Sequence, residues 1–142
     1  MKRKGIICGC FAIVILIMIG VLFGPRKLVP DNTKFEIMTV AIWNDNGQQI
    51  LVEDKLTGQD KEKLEQILRS YTCTLCPNPK RYDDSFEDIQ YLIHTSYETD
   101  IWWYLMIYDD QIYKQGGKYY YAVKNSEALK AELDELLKPY VE

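Results

Sequence analysis

Ile89-Gln90-Tyr91-Leu92-Ile93-His94-Thr95-Ser96-Tyr97 and, after three polar residues, Ile101-Trp102-Trp103-Tyr104-Leu105-Met106-Ile107-Tyr108 form the stretch that decides the fold. Both runs are rich in β-branched and aromatic residues, which suit a pleated, packed surface. Side chains alternate between the two faces of a strand. If Ile101, Trp103, Leu105 and Ile107 face a core, then Trp102, Tyr104, Met106 and Tyr108 face away. Neighbouring strands of this kind belong to an antiparallel sheet.

Toward the C-terminus, Asp109-Asp110 turns the chain into a strand at Gln111–Lys114. Gly116-Gly117 turns it again into Lys118–Lys124. A helix follows, capped by Asn125 or Ser126. Its apolar positions are Leu129, Leu133, Leu136 and Leu137, and Pro139 ends it.

Toward the N-terminus, Phe35–Trp43 alternates, with Phe35, Ile37, Thr39, Ala41 and Trp43 on one side and Met38, Val40 and Ile42 on the other. Asn44-Asp45-Asn46-Gly47 is turn chemistry, and Gln48–Val52 returns as a second strand. Thr57 caps a helix in which Leu64, Ile67, Leu68 and Tyr71 make one apolar stripe. Cys73–Asp84 reads as irregular, with Pro77 and Pro79. The order implies an α+β fold: an antiparallel sheet of about five to six strands with two helices packed on one face, preceded by one transmembrane helix.

That last element comes from Ile6–Phe23, which carries no charge and no proline; twelve of its residues are Ile, Val, Leu or Phe. Its length as a helix, about 27 Å, is close to the hydrocarbon thickness of a bilayer. Lys2, Arg3 and Lys4 precede it, and Arg26 and Lys27 follow it. The balance of charge favours an N-terminus inside and a domain outside, in a single-pass arrangement at the cell membrane. The chain divides into a cytoplasmic basic tip at 1–5, a transmembrane anchor at 6–23, a linker at 24–34 and an extracytoplasmic α+β domain at 35–142. No A-x-A pattern ends the apolar run, which disfavours a cleaved leader.

Charge excludes some functions. Residues 31–142 hold twelve basic and 21 acidic residues, a net of −9. Such a domain repels phosphate backbones, so nucleic acid is not an expected partner. It also repels anionic lipid, so the domain is expected to stand off the bilayer.

Few residues offer chemistry. Cys73-Thr74-Leu75-Cys76 is a disulfide candidate outside the cytosol or a pair of inert thiols, with a thiol–disulfide exchange pair as the alternative. It lacks the strand before it and the helix after it that lower a thiol pKa. Zinc would need two further ligands, which the lone His94 cannot supply. Asp83-Asp84-Ser85-Phe86-Glu87-Asp88 gathers carboxylates, yet Asp88 and His94 stand where a calcium-binding EF-hand needs glycine and glutamate. His94 lies mid-strand without a nucleophile elbow. There is no phosphate-cradling glycine loop. No catalytic set, metal or cofactor is called for.

The aromatic residues are more suggestive. Trp102, Tyr104, Tyr108, Tyr120 and His94 can share the sheet's outer face, and Tyr and Trp give large contact area with a polar tip. The expected function is a tethered binding or accessory domain without enzymatic activity, recognising a protein, peptide or envelope component. The alternatives are a thiol–disulfide oxidoreductase using Cys73 and Cys76, and a structural subunit of an envelope or secretion complex.

Three segments carry a family likeness: Lys2-Arg3-Lys4 before the apolar run, Thr57-Gly58-Gln59-Asp60 opening a helix, and Gly117-Lys118-Tyr119-Tyr120-Tyr121 near the end. In layout the chain resembles small extracytoplasmic domains that Gram-positive bacteria tether by an N-terminal helix. The resemblance implies the same tethered arrangement and supplies no catalytic residues.

Overall fold

The computed structural model describes residues 2–31, 35–43, 48–77, 89–97, 101–108, 111–116 and 119–140. In chain order these form helix α1 (Lys2–Phe23) and strands β1 (Arg26–Lys27), β2 (Phe35–Trp43) and β3 (Gln49–Leu51). Helix α2 (Gly58–Ser70) and strands β4 (Thr72–Cys76), β5 (Ile89–Tyr97), β6 (Ile101–Tyr108), β7 (Gln111–Gly116) and β8 (Tyr119–Val123) come next. Helix α3 (Ser126–Leu137) and a 3-10 turn (Lys138–Tyr140) close the described chain.

The strands hydrogen-bond in the order β1-β4-β8-β7-β6-β5-β2-β3, with every pair antiparallel. The expectation of an α+β fold with five to six strands and two helices is corrected: the described residues form three helices and eight strands, all paired antiparallel. The two additions are β1 and β4. Two residues are too short to leave a pattern, and Thr72-Cys73-Thr74-Leu75-Cys76 alternates small and apolar residues too weakly to read as a strand.

The second correction concerns the membrane. Among the described residues no helix is long and apolar enough to cross one. The transmembrane helix expected at 6–23 is therefore unsupported. The α1 residues from Cys10 to Phe23 are nonetheless exposed on every side.

One core holds the fold together. Leu64 and Leu68 of α2 and Leu129, Leu133 and Leu137 of α3 are fully buried against Val40, Ile93, Leu105 and Ile107 of the sheet. The helical stripes were legible because a 3.6-residue period has only one way to bury them. Thr57 caps α2 as expected, its Oγ1 accepting from the Asp60 amide at 3.1 Å. At α3 the cap position belongs to Asn125, in the left-handed region at φ 56°, with no side-chain cap bond. Asparagine tolerates that conformation better than most residues. Tyr71 Oη donates to Glu132 at 2.9 Å, and Tyr91 Oη donates to Asp134, so the residue that ends α2 and one of β5 tie α3 down.

A bulge breaks the alternation of β2. Ile37 pairs with Thr95 and Thr39 with His94, which leaves one extra residue between them. Ile37 on one side of the bulge, and Val40 and Ile42 on the other, thus all pack on the core. Strict alternation had put Ile37 and Ile42 on opposite faces.

The segment 24–34, read as a linker, supplies β1 and two fully buried side chains, Leu28 and Val29. The Leu28 amide donates to the Tyr71 carbonyl at 2.8 Å. Lys114 Nζ donates to the Leu28 carbonyl at 2.7 Å, and an Arg69 guanidinium nitrogen donates to the Pro30 carbonyl at 2.9 Å. Arg26 reaches back to the Val21 carbonyl at 2.9 Å, satisfying one open carbonyl at the end of α1, and lies over the Tyr121 ring. Gly24 permits the turn between helix and strand, since a Cβ there would sit 2.5 Å from the Gly20 carbonyl oxygen. The helix is thereby strapped to the domain.

Candidate functional site

The face of the sheet turned away from α2 and α3 is built by register. Thr39 of β2, His94 of β5, Tyr104 of β6, Gln115 of β7, Tyr120 of β8 and Cys76 of β4 pair in one lateral row. Ala41, Leu92, Met106, Tyr113, Ala122 and Thr74 pair in the next. Directly paired residues project from the same face. The rows therefore cross six strands, about 24 Å of sheet.

None of these twelve residues is Lys, Arg, Asp or Glu, in a chain that is 27% charged. A sheet face left to water alternates with polar and charged residues. This one instead carries a small apolar cluster that includes Trp43, Cys76, Met106 and Ala122.

His94 and Tyr104 form the centre, with ring centroids 4.4 Å apart and 13° between planes. They meet because they are directly opposed across β5 and β6, the closest cross-strand placement. Tyr104 is 39% exposed, and His94, Met106 and Tyr120 are half-buried. The register unites three of the expected residues, His94, Tyr104 and Tyr120, in one row. Trp102 pairs with Ser96 one step along, and Tyr108 pairs with Ile89 and Gln111 at the far end of β6.

Burial pulls the His94 pKa below its ordinary value, so the imidazole is held neutral near pH 7. The sign of the consequence is fixed. In the unfolded chain the histidine takes up a proton near about pH 6.5, while in the folded chain it does so only at lower pH. Stability should therefore fall as pH drops through the window below about 6.5. Urea midpoints measured at about pH 7 and about pH 5 should drop more for the parent than for His94→Asn. Equal drops would refute this role for the histidine.

The cysteine motif is corrected. Cys73 lies on the core face, 2% exposed, and pairs with buried Val123, whereas Cys76 lies on the outer face in the Tyr120 row. Three residues along a strand separate their Cα atoms by about 10 Å, beyond the roughly 7 Å that a disulfide can bridge. Both thiols are free. Burial pushes the Cys73 thiol up, against the lowering influence of Lys114 and Arg26. A nucleophilic thiol requires the opposite shift. The disulfide candidate and the exchange pair lose their geometry together, because sequence spacing does not reveal that an odd offset on a strand puts two side chains on opposite faces.

The acidic run at 83–88 and the turns at 44–47 and 109–110 lie outside the described residues. Among the described residues no group of three or more His, Cys, Asp or Glu side chains could hold a metal ion. A groove of about 450 Å³ between α2 and α3 is lined by Asp60, Lys63, Ile67, Glu132, Glu135 and Leu136, among others. Its Asp60 and Glu132 already accept hydrogen bonds from Tyr140 and Tyr71.

Sequence reasoning missed Cys76 as a member of the outer row and Lys114 as a buried cation behind it. No family model, curated protein or solved structure matches the chain.

Proposed function

We propose that this chain is a binding or accessory domain without enzymatic activity, held at a membrane by α1. It captures a protein, peptide or envelope component on the two uncharged rows of the outer face around Tyr104 and His94. The observation that carries the reading is the pair of lateral rows without a formal charge, centred on a stacked aromatic pair, in a domain rich in charge elsewhere. Interface centres are depleted of charge and enriched in aromatic residues. The exposed apolar length of α1 supports lipid as its surroundings, since water would be an unfavourable solvent for it. The thiol–disulfide alternative is not favoured, because Cys73 and Cys76 cannot meet.

Crosslinking in native membranes, followed by identification of the captured partner, tests this. Tyr104→Ala removes a half-exposed ring and should leave the fold intact. It should weaken capture about tenfold or more, the size expected of a central aromatic anchor. Gln66→Ala, on the exposed side of α2, should leave capture unchanged. Undiminished capture by the folded Tyr104→Ala variant would count against the outer face.

A further inference from the structure

Helices α2 and α3 lie antiparallel on the other face of the sheet. Tyr140, just past α3, donates to Asp60 near the start of α2, and Tyr71, just past α2, donates to Glu132 in α3. The groove between the helices, about 450 Å³, falls in the size range of ligand pockets. Its lining follows the helical period on both sides, with Asp60, Lys63 and Ile67 along α2 and Glu132, Glu135 and Leu136 along α3. Ile67 and Leu136 are partly buried against the core and make an apolar floor. Three carboxylates against one lysine give the rim a net charge of −2. Other acids of the two helices are neutralised, Glu65 by Arg69 at 2.7 Å and Asp134 by Lys130 at 3.2 Å. Among the described residues no ion pair reaches the three rim carboxylates. Hydrogen bonds from Thr57 and Tyr140 hold the Asp60 carboxyl below its ordinary pKa, so it is charged at neutral pH.

We propose that this groove docks a basic amphipathic helix of a partner protein, with apolar side chains on Ile67 and Leu136 and Lys or Arg side chains on the carboxylate rim. The sheet separates the groove from the outer face, so binding here is independent of capture at Tyr104. Shape, floor and charge each favour this occupant. From Asp60 to Ile67 the helix rises about 10 Å, two turns, the span over which the i, i+3 or i+4 and i+7 anchors of a docked helix make contact. A channel between two packed helices accepts the side-chain ridge of a third. Glu132 and Glu135, one turn apart on α3, repel each other, and a cation between them removes that cost. A carboxylate has about four acceptor positions. The Tyr71 hydroxyl on Glu132, and the Thr57 and Tyr140 hydroxyls on Asp60, therefore leave room for a charged donor. An acidic or phosphate-bearing helix would meet like charge at the rim.

The test titrates the full chain, in a neutral detergent, into a dye-labelled peptide of about 14 residues and reads fluorescence anisotropy. The peptide is made of Leu and Lys, with Leu at helical spacing on one face. Uptake by micelles is common to every variant and is subtracted. The parent should bind saturably. Glu135→Lys, at an exposed position of the rim, should weaken binding at least about tenfold. Glu127→Lys makes the same change of net charge in the first turn of α3, away from the groove, and should stay within about twofold of the parent. Lys63→Glu adds a carboxylate to the rim and should tighten binding about threefold or more, a gain that a misfolded variant cannot give. A peptide with Ser in place of Leu should bind at least about tenfold more weakly, because it has nothing to lay on the apolar floor. Equal weakening by Glu135→Lys and Glu127→Lys, no tightening by Lys63→Glu, or equal affinity for the Ser peptide would show that the net acidity of the domain alone attracts the probe, and overturns the groove. No saturable binding to the parent overturns it outright.

Discussion

Leu28→Ala should destabilise the protein by about 3 kcal/mol and lower its melting temperature by roughly 10–15 °C. The residue is fully buried in the core, its amide donates to Tyr71, and its carbonyl accepts from Lys114. Truncation removes about three carbon atoms' worth of burial and leaves a void that a strap held at both backbone atoms cannot close. If residues 24–34 were only a linker, the same substitution would change stability by less than about 0.5 kcal/mol. Thermal or urea denaturation of the full chain separates the two outcomes. A parent-like midpoint would show that the strap is not part of the core.

The second large effect is expected at Lys114. Its ammonium is buried, donates to the Leu28 carbonyl at 2.7 Å, and has its pKa lowered by desolvation, against a raising influence from Cys73. Lys114→Ala opens a cavity and removes a donor from a buried carbonyl, and should cost about 3 kcal/mol. Lys114→Met keeps most of the volume and removes a charge that is expensive to bury, so it should stay within about 1 kcal/mol of the parent. The pH dependence gives a second reading. Between the lowered folded pKa and about 10.5 the unfolded lysine holds its proton while the folded one releases it, so parental stability should rise with pH in that window. The methionine variant should show no such rise. Equal losses in both variants would show that the bond to Leu28 outweighs the cost of desolvation. No loss in Lys114→Ala would contradict the packing described.

The elements that were legible in the sequence are those whose pattern has one physical solution. Leu64, Ile67 and Leu68, and Leu129, Leu133 and Leu137, repeat with the helical period, and only a helix lays such positions on one stripe. Ile101–Tyr108 alternates, and the inward set predicted for it includes the fully buried Leu105 and Ile107. Thr57 announced its helix because a hydroxyl at that position meets a free amide. The shared outer face of His94, Tyr104 and Tyr120 also followed from counting by two along each strand.

What escaped depends on partners distant in the chain. β1 exists because β4 offers it an edge, and nothing in Arg26-Lys27 says so. The β2 bulge inserts one residue, and every inference by alternation beyond it changes face. Cys73 and Cys76 are three apart on any reading; only their placement in a strand sends one into the core and the other to the Tyr120 row.

By itself, then, the amino-acid order determined which segments coil, which extend and which side of each is apolar, because local sterics and periodicity act over a few residues. The tertiary structure alone decided that Leu28 and Val29 are core, that Lys114 is buried, and that the two thiols never meet. Those outcomes are set by register across strands that lie tens of residues apart, and a one-residue change in register moves a side chain from one face of the sheet to the other.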